Sequence, residues 1–206
     1  MIKSYLAAYN SKFSLESINQ FDHQLFFTIH HFRNAFLDGV MPLITGKWLW
    51  IPLYAFLLIV LFLRFRKQLI MIAGMIVVLI LLCDQSANLL KNNVCRLRPC
   101  HDPTISEQVF TPVGCGGEYG FVSSHAANTF GLATFLFLLS GISKGVRPVK
   151  RRWLWSLLFL WSVIVCWSRI YVGVHFPLDL LVGCMIGALW GTVLFLIYDK
   201  VIPVLR

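Results

Sequence analysis

The 206-residue chain carries 18 Lys plus Arg against 9 Asp plus Glu, a formal charge of +9, yet 13% of its residues are charged and 58% are hydrophobic. Soluble domains average about 25% charged and about 45 to 50% apolar residues, so this composition excludes an ordinary soluble domain and points to apolar segments in a bilayer. The basic residues gather in short runs between apolar stretches, an arrangement that orients membrane segments and argues against a nucleic-acid partner.

No cleavable secretory signal is expected, because residues 1–20 hold no apolar core of the needed length. Residues 1–47 read as an N-terminal interfacial segment and 48–206 as one membrane domain. Within the first, residues 21–41 mix Leu25, Phe26, Phe27, Ile29, Phe32 and Phe36 with Asp22, His23, His30, His31, Arg33 and Asp38. That is too polar to span, and the spacing predicts a helix lying in the interface. A re-entrant sixth segment is the alternative.

Residues 48–65 open with aromatics and Pro52 and end in Arg64, Arg66 and Lys67, which makes them the first span. Residues 69–83 are apolar throughout, and the helical pattern can continue to Lys91, giving about 33 Å at 1.5 Å per residue. Residues 125–142, 153–167 and 177–198 are the third to fifth spans. The expected fold is therefore all-α, an integral membrane bundle of five helices, or six with the re-entrant segment. Trp48, Trp50, Trp153 and Trp155 at span ends read as interface anchors. Gly183, Gly187 and Gly191 form a small-residue stripe that lets a neighbouring helix approach, within the bundle or in a dimer.

Three basic residues follow the first span and five follow the third (Lys144, Arg147, Lys150, Arg151 and Arg152), so those ends are expected in the cytoplasm. With five spans, the N-terminal segment, the loop 91–124 and the turn 168–176 then share the outer face. An oxidising exterior permits one disulfide among Cys95, Cys100 and Cys115, for instance Cys100 with Cys115, although spacing does not fix the pairing.

Polar residues at the edges of spans are costly and so mark function. They form three clusters: Lys91 with Arg96, Arg98 and Pro99; Ser123, Ser124 and His125 at the start of the third span; and Ser168, Arg169, Gly173, His175, Pro177 and Asp179. Asp84, Asn88 and Lys91 add a polar stripe at i, i+4 and i+7. A Ser before an apolar helix caps it and leaves N–H groups for an anion. A His with a carboxylate one turn away is an oriented imidazole, suited to nucleophilic or general-base work. Each cluster has a bland reading as well: snorkelling cations for the first, a simple helix cap for the others. Two His in a pocket of Lys and Arg suit an anion attacked on one side and leaving on the other, which is phosphoryl transfer.

Lys91 with Arg98-Pro99, then Ser123-x-His125, then Ser168-Arg169 with His175 and Asp179 resembles the three-part signature of the type 2 phosphatidic acid phosphatase superfamily. The resemblance covers residues 91–179, and its third part is specific. One departure concerns the second part, where the usual Pro-Ser-Gly-His is here Val122-Ser123-Ser124-His125. Ser124 either narrows the pocket or adds a hydroxyl. The resemblance implies that His175 attacks phosphorus, that Asp179 orients it, and that His125 protonates the leaving oxygen and then activates water. It implies that Lys91, Arg98, Ser123, Ser124 and Arg169 bind the phosphate, without metal or other cofactor. The implied protein is a lipid phosphate phosphatase; the compact size points to a bacterial inner membrane, and the basic loops put the site on its periplasmic face. The implied substrates are undecaprenyl diphosphate, phosphatidylglycerol phosphate, phosphatidate or lipid A phosphate. A phosphotransferase between lipids would use the same residues. A haem-binding or transport protein with His125 and His175 as ligands is the reading from another class, opposed by the surrounding cations.

Overall fold

The computed structural model describes residues 2–142 and 148–201. Among these the chain is all-helical: α1 (Ile2–His30), α2 (Ala35–Thr45), α3 (Ile51–Phe65), α4 (Leu69–Val94), α5 (Ser124–Ile142), α6 (Pro148–Tyr171) and α7 (Pro177–Val201), with short 3-10 turns between some of them. The run Lys47–Val94, which contains α3 and α4, and the helix Pro177–Val201 are each long and apolar enough to cross a membrane. Leu63 on α3, Ile70 and Leu81 on α4, and Leu181 and Leu189 on α7 are exposed. Large apolar side chains turned outward in this way make a lipid-facing surface rather than a wet one.

The interior is built from Leu57, Leu61, Ile72, Leu79, Phe135, Leu136, Trp161 and Tyr198, contributed by α3 to α7. The closest helix contact is between α5 and α7, and the glycine stripe makes it. A Cβ on Gly183 would lie 2.7 Å from the Ser123 carbonyl oxygen, and one on Gly191 would lie 2.6 Å from that of Gly131. A Cβ on Gly187 would collide with the Ala127 carbonyl oxygen. The stripe therefore serves packing inside the bundle.

Three expectations change. The N-terminal segment is two helices, not one: α1 ends at His30, and Asn34 caps α2 by accepting from the Leu37 N–H at 2.9 Å. Its faces are also mixed rather than divided into apolar and charged sides. Phe21, Phe32 and Phe36 are exposed, whereas Asp22, Phe26 and His30, at four-residue spacing, are buried against the rest of the protein. The expected fourth span is α6, which reaches Tyr171, so Ser168 and Arg169 sit on its last turn and the outer turn shrinks to residues 172–176. Gly173 in that turn has φ +73°, and a side chain there would meet Val109 and the Phe110 carbonyl oxygen.

Of the anchoring tryptophans, Trp48 and Trp153 are exposed. Trp50 instead donates to the Ile44 carbonyl at 2.8 Å and packs edge-on against Trp161. Lys144 and Arg147, two of the basic residues behind the orientation, lie outside the described residues. Cys100 and Cys115 are joined as a disulfide, and Cys95 is free and exposed. The bridge closes the loop between α4 and α5.

Candidate active site

The site lies where the N-terminal ends of α5 and α7 meet the C-terminal ends of α4 and α6. Pro177 occupies the first position of α7, where its missing N–H costs nothing. This start puts Asp179 on the first turn, with Oδ2 accepting from the Phe176 N–H at 2.9 Å and lying 3.4 Å from His175 Nδ1. An acceptor at Nδ1 assigns the proton to that nitrogen and leaves Nε2 with a lone pair. His175 and Asp179 are both buried. Burial pushes the His175 imidazole down to about 4, against the upward pull of Asp179, and the Arg169 and Arg98 charges add to the lowering. Burial therefore favours the neutral imidazole at pH 7.

Ser123 caps α5: its Oγ accepts from the Ala126 N–H at 3.5 Å and its carbonyl from the Ala127 N–H at 3.1 Å. The Ser123 N–H bonds the Asp179 carbonyl at 3.0 Å, which locks the starts of α5 and α7 together. His125 follows on the first turn of α5 and is exposed. It is close enough to Arg169, His175, Lys91 and Arg98 for their charges to act on it. Lys91, on the last turn of α4, donates to Ser124 Oγ at 3.0 Å. Ser124 thus adds a hydroxyl that pins a cation.

Arg98 is tied down from behind, with Nε donating to the Tyr119 carbonyl at 3.3 Å and Nη1 to the Cys115 carbonyl at 3.1 Å. Arg169 Nη1 donates to Thr45 Oγ1 at 2.7 Å, while its buried Nε has no hydrogen-bond partner among the described residues. A buried donor left unpaired is expensive, so an anion that accepts from it is favoured. All eight residues singled out from the sequence converge on one place: two imidazoles, one carboxylate, three cations and two hydroxyls. Among the described residues, no group of three His, Cys, Asp or Glu is placed to hold a metal ion.

The sequence reading missed four contributors. Arg96 was noted beside Lys91 but not placed in the site, yet it donates to Asp179 Oδ1 at 2.8 Å. Asp22 pairs with Arg96 at 2.6 Å. Thr45 holds Arg169, and Gly120 leaves room for Asp179. No local spacing marks Asp22, whose burial comes from the packing of α1 against the start of α7.

Beside the site, an apolar cavity of about 410 Å³ runs between α3, α4, α5 and α6. Asn128 and Thr129 line one end, and Thr129 Oγ1 donates to the His125 carbonyl at 2.9 Å, so the cavity begins one turn from His125. From there it follows Leu132 and Leu136 down α5.

The sequence pattern of the PAP2 superfamily matches residues 67–203. The chain is 34% identical to the lipid A 4'-phosphatase of Porphyromonas gingivalis over 188 residues, 89% of this chain and 75% of that protein. It is 35% identical to the lipid A 4'-phosphatase of Bacteroides thetaiotaomicron over 190 residues, 90% of this chain and 80% of that one. The undecaprenyl-diphosphatase of Sulfolobus acidocaldarius is 31% identical over 173 residues, 82% of this chain and 74% of that protein. Among solved structures, the fold is similar to the transmembrane PAP2 type phosphatidylglycerolphosphate phosphatase of Bacillus subtilis. The TM-score is 0.70 at 21% identity, over 89% of this chain and 87% of that one.

Proposed function

We propose, from the premise that this chain belongs to the PAP2 superfamily and is a membrane lipid phosphatase, that it cleaves a phosphomonoester or diphosphate on its lipid through a phosphohistidine at His175. The observation that carries this is the convergence of Lys91, Arg98 and Arg169 on two imidazoles, with a buried Arg169 Nε still lacking an acceptor. Non-bridging phosphate oxygens would satisfy those donors, and Ser123 and Ser124 border the same space. His175 Nε2 attacks phosphorus while Asp179 holds the Nδ1 proton. The phosphorus–oxygen bond to the lipid breaks as His125 gives its proton to the leaving oxygen. Neutral His125 then takes a proton from water, and that water attacks the phosphohistidine, releasing inorganic phosphate and free His175.

For the substrate, the 34% and 35% identity to lipid A 4'-phosphatases supports a phosphate on lipid A ahead of undecaprenyl diphosphate, phosphatidylglycerol phosphate and phosphatidate. The apolar cavity starting one turn from His125 suits a hydrocarbon chain of a lipid whose phosphate sits at the site. Five spans, the segment 1–47 lying at the interface and a bacterial inner membrane complete the reading. The site faces the periplasm, because the Cys100–Cys115 disulfide in the loop beside it belongs to an oxidising compartment. Phosphate release by purified protein from those four lipids tests the reading, with lipid A phosphate expected to turn over fastest. Release from none of the four would overturn it.

A further inference from the structure

Asp179, the partner of His175, is itself held by a second charge. Arg96 Nη1 donates to its Oδ1 at 2.8 Å, and Arg96 Nη2 donates to Asp22 Oδ2 at 2.6 Å. Asp22 comes from α1, far from the signature residues, and its other oxygen accepts from the Leu178 N–H at 2.9 Å. The guanidinium is fixed in plane by Phe176, whose ring lies 4.3 Å from Cζ and stacks on His23 at 4.6 Å on its own account. The Asp22 and Asp179 side chains are 1% and 0% exposed, and that of Arg96 18%. Side chains this far from water are screened weakly.

We propose that Asp22 and Arg96 are positioning residues for His175, acting through Asp179. Arg96 holds Oδ1 of the buried Asp179 and so aims Oδ2 at Nδ1. Alone, however, its charge would cancel that of Asp179 just where the imidazole becomes positive during attack. Asp22 restores the balance: burial pushes its carboxyl up, but the Arg96 hydrogen bond and charge and the Leu178 N–H favour the carboxylate, and two carboxylates with one guanidinium carry one net negative charge. Against it work burial and the charges of Arg169 and Arg98, which disfavour the positive imidazole. Asp22 thereby makes α1 part of the catalytic apparatus rather than a membrane anchor alone.

The inference rests on the phosphohistidine reading, and steady-state kinetics in detergent on a lipid phosphate and on a nitrophenyl phosphate test it. Asp22→Asn keeps the shape and the acceptor for Leu178 while removing the charge. It is expected to lower kcat about 10- to 100-fold, the range for partners that orient an imidazole, with KM within about twofold. Arg96→Ala should lose at least as much and regain part of it with added guanidinium. Combining the two substitutions should cost little beyond Arg96→Ala, since Asp22 acts through Arg96. Wild-type kcat in Asp22→Asn, or losses that appear in KM, would overturn the proposal. So would an Asp22→Asn chain that cannot fold, since the pair would then be structural. If Arg96→Ala does not fold, Asp22→Asn decides alone. A wild-type chain inactive on every ester would sink the phosphatase reading instead.

Discussion

Gly120 stands directly against Asp179: a Cβ on Gly120 would lie 2.9 Å from Asp179 Oδ2, the oxygen that faces His175. The same Cβ would lie 3.2 Å from Arg98 Cγ. A methyl group at 120 must therefore displace either the Asp179 carboxylate or the Arg98 side chain. Gly120→Ala is expected to lower kcat about 10- to 100-fold, since displacements of about 1 Å carry such costs. Comparing its kcat and melting temperature with those of the wild type checks this, and unchanged turnover would refute the tight fit.

Ser124 is where the chain departs from the signature it resembles, and its Oγ accepts from Lys91 Nζ at 3.0 Å. Removing the hydroxyl frees a long cation to sample other rotamers. Ser124→Gly is expected to raise KM about three- to tenfold with little change in kcat, on the order of 1 kcal/mol of substrate binding. A fall in kcat at constant KM would show that Ser124 acts on the transition state instead.

The membrane helices were legible because long apolar runs ending in Arg, Lys or Pro have few other physical solutions. The eight candidate residues were legible as one cluster because polar groups at the edges of such runs are costly. Arg169 shows the limit of that logic. Its charge looked like the end of the fourth span, yet that helix, α6, continues to Tyr171, and Arg169 finds Thr45 inside the protein. Asp22 and Arg96 were illegible for a related reason. An Asp in an amphipathic segment reads as facing water, and what buries it is the packing of α1 against the start of α7, which no local spacing encodes.

His175 gives a dependence on pH whose sign follows from burial. Its folded pKa, pushed down to about 4, lies below the ordinary value of 6.5. Between those two values the unfolded chain binds the proton and the folded chain does not. The contribution to stability is therefore full above pH 6.5 and is lost as pH falls toward 4. Relative to His175→Gln, the wild type should lose about 3 kcal/mol over that window. Thermal unfolding of both in detergent at pH 7 and pH 4.5 measures it, and a constant difference would mean that the imidazole is not shielded.

The α5–α7 contact makes opposite predictions for two glycines. A Cβ on Gly187 would collide with the Ala127 carbonyl oxygen and come within 2.8 Å of Gly131 N, whereas one on Gly74 of α4 would meet nothing within 4 Å. Gly187→Ala is expected to destabilise by about 1 to 3 kcal/mol through overpacking, and Gly74→Ala to be neutral or slightly stabilising through helix propensity. Melting temperatures in one detergent compare the two directly. Equal shifts would mean that the stripe is not the close contact.

The two histidines separate by exposure and by partner. His175 is buried on Asp179, whereas His125 is exposed and surrounded by Arg169, Lys91 and Arg98. If His175 is the nucleophile, His175→Ala removes both the covalent intermediate and turnover. If His125 is the general acid, His125→Ala still allows attack on a substrate whose leaving group needs no proton, such as a nitrophenyl phosphate. That variant should keep a larger fraction of its activity on the nitrophenyl ester than on a lipid alkyl phosphate. It should also accumulate phosphohistidine, because the second step lacks its base. Asp179→Asn should fall by several orders of magnitude, since the imidazole loses both its charge partner and its tautomer. Locating the label decides the matter. Phosphate on His125, or equal losses for His125→Ala on both esters, would reverse the two roles and leave the phosphatase reading standing.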